Sequence, residues 1–142
     1  MLDVNLLIAL AWPQHVHHVQ AHAWFDRVGK RCWATCPLTQ LGFARVSSNP
    51  RIIAQAVTPR DALAALERMT ALPGHAFWSD SVSVVAQPDF SNLLLVGHRQ
   101  FNDAYLLTLC RHHKGRLATL DRGVAELCGN PAERAKLIEL VA

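Results

Sequence analysis

A carboxylate at the head of an apolar helical stripe, followed by a second at the end of a short buried strand, constrains this chain more than any other feature. Both lie in the stretch from Asn102 to Asp121. In DAYLLTLCRHH, Leu106, Leu107 and Cys110 follow Asp103 at i+3, i+4 and i+7, so the acid heads the face that should turn to the core. Asn102 is the expected N-cap, and the positive end of the helix dipole favours an anion in the first turn. Lys114 and Gly115 stop the helix. Arg116 to Leu120, RLATL, is expected to form a short buried strand that delivers Asp121 at its carboxyl end, with Thr119 on the same face by the strand's period of two. The carboxyl ends of the strands are where α/β sheets build their sites.

The front of the chain supplies a third acid in a similar setting. Leu2-Asp3-Val4-Asn5 leads into the apolar run Leu6 to Ala11, which predicts a very short strand carrying Asp3 and Asn5 on one face, then a helix capped by Asn5. If Asp3, Asp103 and Asp121 converge, their mutual repulsion raises one or more of their pKa values unless a cation sits among them. Carboxylate oxygens are hard ligands suited to Mg²⁺ or Mn²⁺.

The opening D-V-N, the later H-R-Q-F-N-D-A-Y-L and the closing L-A-T-L-D-R-G resemble the signature blocks of PIN-domain proteins, and among these of VapC-type ribonuclease toxins. The segment C-P-L-T-Q-L-G-F-A-R-V-S-S-N-P resembles the matching block of the same toxins. The resemblance implies a three-layer α/β domain with a short, mainly parallel central sheet flanked by helices. It also implies a Mg²⁺- or Mn²⁺-dependent endoribonuclease with Asp3, Asp103 and Asp121 as metal ligands, and a metal-activated water attacking an RNA phosphodiester. Asn5 and Thr119 are expected to orient the carboxylates, and Arg99 and Arg45 to contact RNA. Implied partners are a cognate VapB-type antitoxin and a second copy of the chain. At Gln40 the family commonly carries a glutamate that completes the acidic cluster. The amide here can offer an oxygen to a metal or a water, but no charge and no basic function. That departure supports an alternative from another class: a PIN-like module, weakened in catalysis, that holds RNA or a protein partner.

The remaining features narrow the class. A chain of 142 residues is expected to form one domain. A formal charge of +3 is compatible with a nucleic-acid partner but too small to argue for one. Cys32, Cys36, Cys110 and Cys128 lack the paired spacing of a zinc site, and buried, reduced thiols are expected, Cys32 within a strand. His15, His17, His18 and His22 have no acidic partner and belong to a solvated helix face. With no charged leader and no apolar run near membrane-spanning length, the expected location is the cytoplasm.

Between these blocks the sequence predicts a helix from His15 to Lys30 with Val16, Val19, Ala23 and Trp24 inward, and a strand over Arg31 to Cys36. Pro37 starts a helix that runs to Ser48. A short helical piece follows over Arg51 to Ala56, then a helix capped by Thr58, with Leu63, Leu66 and Met69 on its apolar side. Within His75 to Val85, Phe77, Trp78, Val82, Val84 and Val85 suggest a short third strand followed by irregular chain, and Asp80 and Asp89 are loop acids. Leu137 to Val141 is a final strand in the family picture, although AERAKLIEL has helical propensity. Phe43, Ile52, Ile53 and Leu66 suggest an apolar surface for self-association between Pro37 and Leu72.

Overall fold

The computed structural model describes residues 1–86, 90 and 93–141. The expected loop acid Asp89 lies outside the described residues. The chain parts into two compact units, Leu2–Ser79 and Met1 with the residues from Asp80 onward. Each contains helices and a pair of short parallel strands.

In the unit Leu2–Ser79, helix α1 (Val4–Ala11) is apolar on nearly every side, and Leu6, Leu7, Ile8, Ala9 and Leu10 are all buried. A helix of that composition is stable only as core. Helix α2 (His18–Arg27) begins three residues later than expected and turns Ala21 and Trp24 inward. Val16, Val19 and Ala23 are exposed instead. The large Trp24 side chain decides the rotation of this weakly amphipathic helix, because burying it removes more apolar surface than either valine would. Strand β1 (Trp33–Thr35) is wholly buried. It is shorter than expected and leaves Cys32 exposed before it, not within a strand. Pro37 sits in the first turn of α3 (Pro37–Ser47), where its missing N–H costs nothing.

Helix α4 (Pro59–Thr70) starts as the sequence predicts: Thr58 Oγ1 accepts from Asp61 N–H at 3.1 Å and donates to the Asp61 carboxylate at 2.7 Å. Its buried face is Ala62, Ala65 and Leu66, whereas Leu63 is 58% exposed. Residues 51–56 form turns instead of the expected helical piece, with Ile52 and Ile53 N–H both bonded to Asn49 O. Strand β2 (His75–Phe77) pairs in parallel with β1, Trp33 opposite His75 and Thr35 opposite Phe77. Gly74, at φ 83°, makes the entry possible: a Cβ there would lie 2.5 Å from Lys30 O.

In the second unit, α5 (Phe101–His112) buries Leu106, Leu107 and Cys110 as the stripe requires. Its N-cap is Gln100, not Asn102, which lies inside the first turn, because a 3₁₀ turn over His98–Gln100 runs directly into the helix. Lys114 adopts φ 53° and Gly115 N–H returns to Cys110 O at 2.8 Å, closing the helix. Strand β3 (Leu117–Thr119) follows. It pairs in parallel with β4 (Ile138–Leu140), Thr119 opposite Leu140, and the Met1 carbonyl accepts from Ala118 N–H at 2.9 Å. The segment before β4 is α6 (Pro131–Leu137), capped by Asn130, so both tendencies of AERAKLIEL are realised, one after the other.

Candidate active site

Asp3 is the N-cap of α1, a position the sequence analysis gave to Asn5. Only 6% of it is exposed; its Oδ1 accepts from Val4 N–H at 2.6 Å and its Oδ2 from the Asn5 side-chain amide at 2.8 Å. A buried carboxylate stays charged only when such donors and the helix dipole replace water. Asn5 thus holds the Asp3 carboxylate from within the first turn. In the same unit, α3 packs against this end of α1 so closely that a Cβ on Gly42 would lie 2.6 Å from Val4 Cγ2. Gln40 stands two residues earlier on α3, half-buried. Its Nε2 donates to Thr35 Oγ1 at 3.0 Å, and that hydroxyl stands 2.8 Å from His75 Nε2. Neither Thr35 nor His75 was among the site residues expected from the sequence. The available signal was positional: one ends a strand and the other opens the next.

In the second unit Asp103 is half-buried in the first turn of α5. Asp121 leaves the carboxyl end of β3, exposed, and caps a 3₁₀ turn over Arg122–Leu127 by accepting from Gly123 N–H at 2.7 Å. Its own N–H donates to Thr119 Oγ1 at 3.0 Å, so the buried threonine fixes the chain where the acid emerges. Arg99 is exposed in the turn before α5, which is pinned by Gln100 Oε1 accepting from Val96 and Gly97 N–H. Arg45 is exposed in the last turn of α3.

The histidines near the end of α1 have structural work. His18 Nδ1 lies 2.8 Å from Ala9 O and His22 Nε2 2.9 Å from Leu10 O, where ring N–H groups satisfy carbonyls that α1 leaves open. Within neither unit do the described residues gather three or more His, Cys, Asp or Glu into a metal-binding group. An apolar cavity of about 390 Å³ in the first unit, lined by Ile8, Trp12, Val16, Ile52 and Ile53 among others, lies toward the opposite end of α1 from Asp3.

Residues 1–130 match the PIN domain. The chain belongs to the PIN-domain family. It is similar to Ribonuclease VapC38 of Mycobacterium tuberculosis (strain H37Rv), with 47% identity over 127 residues covering 89% of this chain and 88% of the relative. Ribonuclease VapC39 of the same strain is 41% identical over 126 residues, covering 89% and 91%. Ribonuclease VapC29 is 40% identical over 132 residues, covering 93% and 92%. The helices and short parallel strands of both units are those of an α/β PIN-like fold. Carboxylates offer only oxygen, the donor chemistry of a hard divalent cation, and Asp121 is exposed to solvent. Among the described residues no helix is long and apolar enough to cross a membrane.

Proposed function

We propose that this PIN-domain protein is a divalent-metal-dependent endoribonuclease acting as the toxin of a toxin–antitoxin pair. The observation that carries the reading is its 40–47% identity, over about nine tenths of both chains, to relatives named Ribonuclease VapC. Asp3, Asp103 and Asp121 would hold Mg²⁺ or Mn²⁺. When bound, the ion supplies a water of lowered pKa and stabilises the charge that develops on the phosphodiester.

The chain's own residues do the rest. Asn5 holds the Asp3 carboxylate by its Oδ2, which fixes the orientation in which the acid is presented. Thr119 fixes the backbone at Asp121, so that carboxylate is presented from a rigid strand end. Gln40 offers its amide oxygen to a water or, weakly, to the ion. Arg99 and Arg45, exposed and charged, would take phosphates of the RNA.

The expected partners are RNA, a VapB-type antitoxin and a second copy of the chain, and the expected setting is the cytoplasm. Of the residues the sequence pointed to for self-association, Phe43 and Leu66 are core and Ile52 is 62% exposed; Leu41 and Leu63 are also open, at 70% and 58%. A purified sample incubated with labelled RNA tests the activity: cleavage with Mg²⁺ and none in EDTA is expected. Binding without cleavage under any divalent ion would favour the non-catalytic module that Gln40 suggests.

A further inference from the structure

We infer that His75 is a positioning residue for Gln40: through the Thr35 hydroxyl it selects which end of the Gln40 amide is held and which is presented. The inference rests on the reading of Gln40 as part of the catalytic site. Thr35 is wholly buried, and its hydroxyl has one proton and two lone pairs. It accepts from Gln40 Nε2 at 3.0 Å and lies 2.8 Å from His75 Nε2. With the amide as donor, the hydroxyl proton goes to His75, whose Nε2 is then the bare nitrogen and Nδ1 the protonated one. The neutral ring this requires is favoured because burial lowers its pKa. The Trp33 ring, 4.6 Å away and opposite His75 in the strand pair, holds the imidazole in place.

Polarity is what the arrangement controls. If His75 donated from Nε2, the hydroxyl would donate to the Gln40 oxygen and the amide would be turned over. It would then present an NH₂ group where an ion or a water proton needs a lone pair. A glutamate at position 40 has no proton to give, so the hydroxyl must donate to it and His75 must donate to the hydroxyl. Glutamine at 40 and an Nδ1-protonated histidine at 75 thus belong together, which explains how a neutral residue can serve at this position with a fixed orientation.

The tautomer is readable without metal or substrate. In ¹⁵N spectra of the full-length, metal-free protein, His75 should carry its proton on Nδ1 in wild type and on Nε2 in Gln40→Glu. With Mg²⁺ present, His75→Ala should lower kcat for RNA cleavage by about 10-fold or more with KM nearly unchanged, as loss of an orienting partner does. His75→Gln should recover most of it, because its amide oxygen accepts the Thr35 proton. An Nε2-protonated His75 in wild type, or one that ignores Gln40→Glu, overturns the inference whether or not the alanine variant folds. So does a His75→Ala enzyme with wild-type kcat. Wild type that cleaves no RNA would overturn the ribonuclease reading instead, and the tautomer would still decide whether His75 sets the amide.

Discussion

The side-chain amide of Asn5 donates to the buried carboxylate of Asp3 at 2.8 Å, across a single residue and within one helix turn. The D-V-N opening is therefore one device: the aspartate caps the helix and the asparagine, one position after N1, holds it. Truncation of Asn5 to alanine leaves a buried charge short of a donor, which costs about 1–3 kcal/mol. Asn5→Ala should unfold at lower urea concentration than wild type by that amount and cleave RNA more slowly. Unchanged stability would mean that Asp3 does not depend on this bond.

Gly42 offers a test of the packing of α3 on α1. Alanine is favoured over glycine within a helix by about 1 kcal/mol. Here its Cβ would lie 2.6 Å from Cγ2 of Val4, a β-branched side chain with little rotamer freedom, and such overpacking costs about 1–3 kcal/mol. The clash should win, so Gly42→Ala should melt below wild type. A higher melting temperature would show that Val4 yields easily.

The acid limb of the stability curve follows from three histidines. Burial lowers the pKa of His15, His75 and His113 below the ordinary 6.5, with neighbouring histidines adding to the effect at His15 and His113. The unfolded chain then binds more protons than the folded one, so these groups cost no stability above pH 6.5 and reduce it increasingly as pH falls below that value. Urea midpoints at about pH 7.5 and about pH 5.5 should fall between the two, and by less in His75→Gln than in wild type. An equal drop in both proteins would remove His75 from the account.

Much of this was legible in the sequence. The stripe Leu106, Leu107, Cys110 predicts the buried face of α5 because three core positions in phase leave a helix one orientation, and Thr58-Pro59 predicts the start of α4 because its capping is local. The rotation of α2 was not legible: Val16 and Val19 are apolar but lose to Trp24, a competition decided by tertiary packing. The cap of α1 was misplaced by two residues because Asp and Asn are equally good caps and only the backbone decides between them. Of the site, the Asn5–Asp3 and Thr119–Asp121 bonds are local, between residues two apart that the strand period had placed on one face. The Gln40–Thr35–His75 chain joins two strands far apart in sequence, and no periodicity foretells it.

Self-association should use the exposed apolar side chains of the α3–α4 region. Leu63→Glu alters a position 58% exposed, so it should leave the fold intact while lowering the mass seen by light scattering from dimer to monomer. A wild-type protein that is monomeric at tens of micromolar would rule this out.

Central to the proposed function is that Asp3, Asp103 and Asp121 are each needed for divalent-metal binding. Its most direct measurement is Mn²⁺ binding by calorimetry, alongside RNA cleavage, for wild type and for Asp3→Asn, Asp103→Asn and Asp121→Asn, each checked for native circular dichroism. Every variant should stay folded, bind Mn²⁺ at least about 10-fold more weakly, since each loses a carboxylate charge, and lose most of its cleavage activity. Folded variants that bind the ion and cut RNA as wild type does would contradict the account.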